Sequence, residues 1–148
     1  NVCVSFHPSA SPTSEEPSLL PTDAPTMTTT IAPTDKQCWI QRGSDIVGED
    51  FYEQLGYRHD LASNGNVIVI GSYAKNITNS TGGIDVGAGS VSVFYFDEDS
   101  SDWNQLGGDI DGEYYYGHEG EAVSISGDGK VVAVGAHFAA DIGSARVF

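Results

Sequence analysis

Residues 103–113 read WNQLGGDIDGE, and sixty-four residues earlier residues 39–49 read WIQRGSDIVGE, with seven of eleven letters identical. The match continues at the same offset: Tyr52 with Tyr116, Gly56 with Gly120, Gly65 with Gly129, Val67 with Val131 and Gly71 with Gly135. Twelve identities fall in the 33 pairs from Trp39/Trp103 to Gly71/Gly135. The first copy then holds ten extra residues, KNITNSTGGI (75–84). The register resumes at an offset of 54, with GSVSVF (89–94) against GSARVF (143–148). An internal repeat of about 50–60 residues suggests stacked units, a propeller or a solenoid, before other architectures.

Each copy reads as antiparallel strands. Residues 121–126, EAVSIS, alternate apolar and small polar side chains, which sets Val123 and Ile125 on one face. The turn Ser126-Gly127-Asp128-Gly129 follows, and Asp-Gly favours a type I′ hairpin with both central residues at positive φ. VVAVGA (131–136) is a nearly continuous apolar run, the pattern of a strand buried on both faces. Copy one repeats the plan in LASNGNVIVIGS (61–72), with Asn64-Gly65 in the turn. SVSVFYF (90–96) and SARVF (144–148) supply a third strand, and the Trp-bearing phrase a fourth.

A lone four-stranded sheet cannot bury both faces, whereas stacked copies can. Four antiparallel strands per repeat is the unit of a β-propeller. The expected fold is all-β: a partial β-propeller of about two four-stranded antiparallel blades. In it Trp39 and Trp103 would fill the gap between adjacent blades. Gly48 and Gly112 would allow a bend or a close backbone approach.

Residues 1–37 are expected to be a disordered Pro/Ser/Thr-rich stalk or linker, with Pro at 8, 12, 17, 21, 25 and 33. Residues 38–102 form repeat 1, with 75–84 as an inserted loop, and 103–148 form a truncated repeat 2. A chain running from Asn1 to Phe148, inside an apolar run, reads as a piece of a larger protein. Cys3 and Cys38 flank the Pro-rich tract. They are disulfide candidates, either for each other or for partners outside this sequence.

The net charge of −15, with only six Lys plus Arg, argues against nucleic acid and against an anionic membrane surface. No run of about 20 apolar residues exists to cross a bilayer. Asn76-Ile77-Thr78 and Asn79-Ser80-Thr81 are N-glycosylation sequons inside the insertion, expected on a surface loop of a secreted protein.

The frame GEAVSISGDGKVVAVGA…GSARVF (120–148) resembles the FG-GAP repeat of integrin-α-like β-propellers. The phrase W-x-Q-x-G-x-D-I-x-G-E, after a Pro/Ser/Thr-rich stalk, looks like the repeat style of large secreted algal surface proteins. The resemblance covers residues 39–148 and implies further blades beyond this chain. Such blades often carry a Ca²⁺ loop, D-x-D-x-D-G, in the hairpin. Here the corresponding turns, 126–129 and 63–66, hold one carboxylate or none, too few oxygens for Ca²⁺. No cofactor is therefore expected.

Asp109, Asp111 and Glu113 stand at i, i+2 and i+4, on one face of a strand, and are the candidates for a divalent cation. Asp45, Val47 and Glu49 break the pattern in copy one. Backbone hydrogen bonding at a turn is the plainer expectation, so no metal is assigned. The acidic run 97–102 reads as a solvated loop between blades. Tyr114, Tyr115 and Tyr116 read as packing between blades.

His59, aligned with Val123, is expected to be partly buried and hydrogen-bonded. His118 stands in a loop beside Glu119, and His137 follows a strand. No Ser/His/Asp set converges in the sequence, and no catalysis is expected. The reading is an extracellular or cell-surface binding or adhesion module, with a protein or carbohydrate ligand. The alternatives are part of a carbohydrate-active enzyme whose site lies in other blades, or a glycosylated wall or matrix protein.

Overall fold

The computed structural model describes residues 2–4 and 37–148. The chain divides into two units, Asn1–Gln41 and Arg42–Phe148. Among the described residues every extended element is a β-strand, one 3-10 turn lies at Ala139–Asp141, and no α-helix forms. No helix there is long and apolar enough to cross a membrane.

In the first unit β1 (Val2–Val4) pairs antiparallel with β2 (Gln37–Trp39), setting Cys3 opposite Cys38. β1 falls within the span expected to be a disordered stalk or linker, and β2 begins at its last residue. The rest of that stalk lies outside the described residues. Trp39, expected between sheets, is 73% exposed.

In the second unit β3 (Arg58–Leu61), β4 (Val67–Ser72), β7 (Ser90–Asp97) and β8 (Asp102–Gln105) form an antiparallel meander. A short strand, β9 (Ile110–Asp111), continues beside β7. Between β4 and β7 the insertion folds as a small hairpin of β5 (Ile77–Thr78) and β6 (Ile84–Asp85). A second sheet orders β10 (Ala122–Ile125), β11 (Val132–Ala136) and β12 (Ser144–Val147). Neither sheet closes on itself.

The phrase at 103–113 supplies β8 and β9 of the first sheet. The sheets are therefore one strand out of phase with the sequence repeat. The acidic run 97–102 is the β7–β8 turn within one sheet, where Asp97 Oδ1 accepts the Asp99 N–H at 3.1 Å. It is not a connection between sheets.

The two copies share backbone detail that few letters encode. Tyr52 and Tyr116 take φ of 70° and 52°, Gln54 and His118 take 56° and 58°, and Gly56 and Gly120 take 89° and 86°. Left-handed non-glycine residues are uncommon, so their recurrence at matched positions marks a common loop. The β3–β4 and β10–β11 turns also coincide. Gly65 N–H donates to Ala62 O and Gly129 N–H to Ser126 O, both at 2.8 Å.

Only Gly65 and Gly129 in these turns carry positive φ, at 71° and 74°, while Asn64 and Asp128 do not. The expected type I′ turn is thus replaced by a four-residue loop built on a type I turn and ended by a left-handed glycine. Asn64 and Asp128 contribute instead through side chains, which accept the N–H two residues on.

The core lies between the sheets. Ala62, Val69 and Val91 of the first meet Ile125, Val132 and Val134 of the second. Strand β10 lies along β3 and β4. At Gly71 the first sheet admits the backbone of the loop that enters β10, since a Cβ there would stand 2.1 Å from Gly120 O.

β4 is buried on both faces: Val69, on the face toward the second sheet, and Ile70, on the opposite face, are both buried. The matching run VVAVGA was expected to be buried likewise, yet it alternates. Val132, Val134 and Ala136 are buried, while Val131 and Ala133 are exposed. Nothing among the described residues covers the far face of the second sheet. His59 faces outward beside the uncovered edge of β3 and is exposed, with Nδ1 3.2 Å from Gly56 O.

Candidate functional site

The loop 114–121 enters β10 as the loop 50–57 enters β3. Segment 86–88, which follows the inserted hairpin, grips it by backbone. Tyr116, His118 and Glu119 donate their N–H groups to Val86, Gly87 and Ala88 at 2.8, 3.1 and 2.8 Å. The left-handed turn at His118 closes with Glu121 N–H donating to His118 O at 3.1 Å. β11 ends just before His137. Three separate constraints thereby bring His118, Glu121 and His137 together, with donor atoms all within 4.8 Å of one another.

Glu121 Oε2 pairs with His137 Nδ1 and lies 3.9 Å from His118 Nδ1. That oxygen is buried, and no donor stands on it in hydrogen-bonding geometry. The ring of His118 is edge-on to Tyr73 at 5.4 Å and to Phe138 at 5.5 Å. Beside the cluster opens a cleft of 340 Å³ lined by Arg58, Glu121, Ala136, His137 and Ser144. Two neutral-capable imidazoles and a carboxylate can hold a divalent ion, or pass a proton between His and Glu.

The sequence-derived candidates are engaged elsewhere, each with its own partner. Asp109 accepts from Lys75 Nζ at 2.8 Å, Ser92 Oγ at 2.6 Å and Gln105 Nε2 at 2.6 Å. Burial pushes its carboxyl up, but the Lys75 and Ser92 hydrogen bonds and the Lys75 charge outweigh it and hold the value below the ordinary one. Burial likewise pulls Lys75 down, and its bond and charge pairing with Asp109 leave it raised. Asp111 Oδ1 accepts from Ser90 Oγ, and Glu113 pairs with Arg146 at 3.2 Å. Among the described residues His118, Glu121 and His137 are the group of three that meets.

The remaining repeat residues are structural. Trp103 stacks edge-on to Phe96 and donates Nε1–H to Arg42 O at 2.8 Å. It is covered by the preceding segment rather than by a neighbouring sheet. A Cβ on Gly48 or Gly112 would stand 2.0 Å from Glu53 Oε1 or 2.1 Å from Ala88 O. Tyr114, Tyr115 and Tyr116, expected between sheets, are exposed. Hydrogen bonding from Tyr116 raises the Tyr115 hydroxyl.

Both sequon asparagines lie on the inserted hairpin. Asn76 is exposed, and its Oδ1 accepts from Gly87 N–H at 2.9 Å. Asn79 is half-buried and commits Nδ2 to Asp85 Oδ1 at 3.3 Å.

The His–Glu–His cluster escaped the sequence reading because its members lie on a loop and beyond a strand. A signal was present: the offset of 64 aligns His118, Glu121 and His137 with Gln54, Tyr57 and Tyr73. No protein-family model matches the chain, and no curated protein matches it.

Proposed function

We propose that residues 42–148 are two consecutive blades of an FG-GAP, integrin-α-like β-propeller acting as an extracellular binding module, with a protein or carbohydrate ligand and no chemistry of its own. The observation that carries this reading is the uncovered face of the second sheet. Ala122, Ser124, Ala133, Gly135, Ala145 and Val147 alternate onto it, opposite the core-facing Val123, Ile125, Val132 and Val134, with Ser124 at the β10 edge also reaching Asp60 of β3. By the repeat offsets they match Arg58, Asp60, Val69, Gly71, Val91 and Val93. Those residues form the face that the first sheet buries against the second.

A stacked array repeats one interface. The face left open here is the one on which a next blade would sit. Its small residues leave room for a close approach like that of Gly120 on Gly71. The exposed sequon asparagine Asn76 and the register that sets Cys3 opposite Cys38 support an extracellular setting, since directly opposed strand positions lie within disulfide span.

The test is sedimentation velocity of the chain across concentration. The open face is expected to drive self-association, and Ala133→Lys with Ala145→Lys is expected to abolish it while leaving the thermal transition in place. A wild-type chain that stays monomeric at about 100 μM would sink the stacking reading.

A further inference from the structure

We propose that His118, Glu121 and His137 form a zinc site, with an open coordination position toward the cleft beside Arg58. The donor set comes first. Two imidazoles and one carboxylate are a recurrent three-ligand zinc set, and three protein ligands leave a fourth position for water. Calcium wants six to eight oxygens and is excluded by the same count. Tetrahedral zinc with bonds of about 2.1 Å sets its ligands about 3.4 Å apart. The three donor atoms lie within 4.8 Å of one another, close to that spacing.

The repeat supplies a second, independent observation. At the matched positions of the first copy stand Gln54, Tyr57 and Tyr73. There Tyr73 OH donates to Gln54 Oε1 at 2.9 Å, and the Tyr57 and Tyr73 rings pack at 4.6 Å. That copy is a closed cluster which satisfies itself. The backbone frame is shared: Tyr57 N–H bonds Gln54 O at 3.2 Å as Glu121 N–H bonds His118 O at 3.1 Å. In the second copy all three positions change together to metal-ligating side chains.

The third observation is Glu121 Oε2. It is buried, it points at both imidazoles, and no aligned donor stands on it. A buried carboxylate oxygen that has an imidazole nitrogen against it but no aligned hydrogen bond is poorly satisfied, and an ion between the three groups would satisfy it. The Tyr73 and Phe138 rings stand edge-on to His118 and hold its ring in place. His137 is half exposed at the cleft, which leaves an entry path.

The experiment is calorimetric titration of the chelator-treated full chain with Zn²⁺. One ion per chain is expected, with a dissociation constant at or below about 10 μM. The deciding variant combines His118→Gln, Glu121→Tyr and His137→Tyr, which installs the side chains that the first copy already folds around. It is expected to weaken zinc binding by about 100-fold or more without loss of the thermal transition.

His118→Gln and His137→Gln, made singly, are each expected to weaken binding by about 10-fold or more and decide the matter should the triple variant misfold. Co²⁺ loading is expected to give visible bands that disappear in the variants. No zinc uptake by the wild-type chain at about 100 μM, or uptake unchanged in the variants, overturns the proposal. The latter would place the ion on His7 or the cysteines.

Discussion

Arg146 is the residue on which the packing of the two sheets turns. It projects from β12 toward the first sheet, where its repeat partner, Ser92, bonds to Asp109. Its guanidinium donates Nε–H to Glu119 Oε1 at 3.2 Å, an N–H to Glu113 Oε1 at 3.2 Å and another to Asp111 O at 2.6 Å. Glu119 is 3% exposed. A buried carboxylate is tolerated when paired and becomes expensive once its partner is gone. Arg146→Ala is therefore expected to destabilise the chain by about 3 kcal/mol, read by urea denaturation. Arg146→Lys is expected to recover part of the loss, because a single ammonium nitrogen cannot span acceptors that Nε and both Nη atoms reach separately. A loss of roughly 0.5 kcal/mol or less for the alanine variant would show that Glu119 is solvated.

Elements differ in how many sides are supported. β4 has a partner strand on each edge and cover on each face, whereas β12 pairs with β11 alone and its Val147 is 69% exposed. Local opening is easiest where few contacts must break. In hydrogen–deuterium exchange the amides of Val67–Ser72 are expected to be the slowest, and those of β5, β6 and β12 to exchange first. Equal protection of β11 and β4 would mean that the open face is covered in solution. This asymmetry bounds what the sequence disclosed. Alternation, turn residues and the repeat were enough to read strands, hairpins and the all-β class. Face burial was not readable, because VIVIGS and VVAVGA carry the same signal and differ only in what lies against them. The turn type was missed for a related reason: Asn-Gly and Asp-Gly permit a type I′ turn, but Asn64 and Asp128 spend their side chains on Asn66 and Lys130. The histidine site was hidden by distance along the chain, since it forms only when segment 86–88 holds the loop of His118.

Across the whole molecule, charge and hydrogen bonding pull stability in opposite directions as pH falls. At neutral pH the chain carries −15, and like charges at this density oppose the compact state. Acidification relieves that repulsion. Four carboxylates, however, are held below their ordinary value of 3.8, and three of them tie elements together. Asp60 on β3 accepts Ile125 N–H at 2.9 Å and Ser124 Oγ at 3.1 Å, joining the first sheet to the second; these bonds, the backbone one foremost, lower its pKa. Asp102 accepts the backbone N–H groups of Ser44 and Trp103, which lower it and bind segment 42–44 to β8. Asp109 fastens Lys75 to the β8–β9 region. A group whose pKa is depressed by folding contributes stability that is fully present above the unfolded value and is lost as pH falls through the folded one. The thermal midpoint is thus expected to rise from pH 7 toward about pH 5 and to fall steeply below 3.8, with added salt raising it at pH 7 by screening. Asp60→Asn is expected to lower the midpoint at pH 7 and to flatten the acid limb, because the amide loses the charge-assisted part of both bonds but does not titrate. A midpoint that climbs without a maximum down to pH 3 would mean that repulsion outweighs these ties, and that the sheets are held by their apolar faces alone.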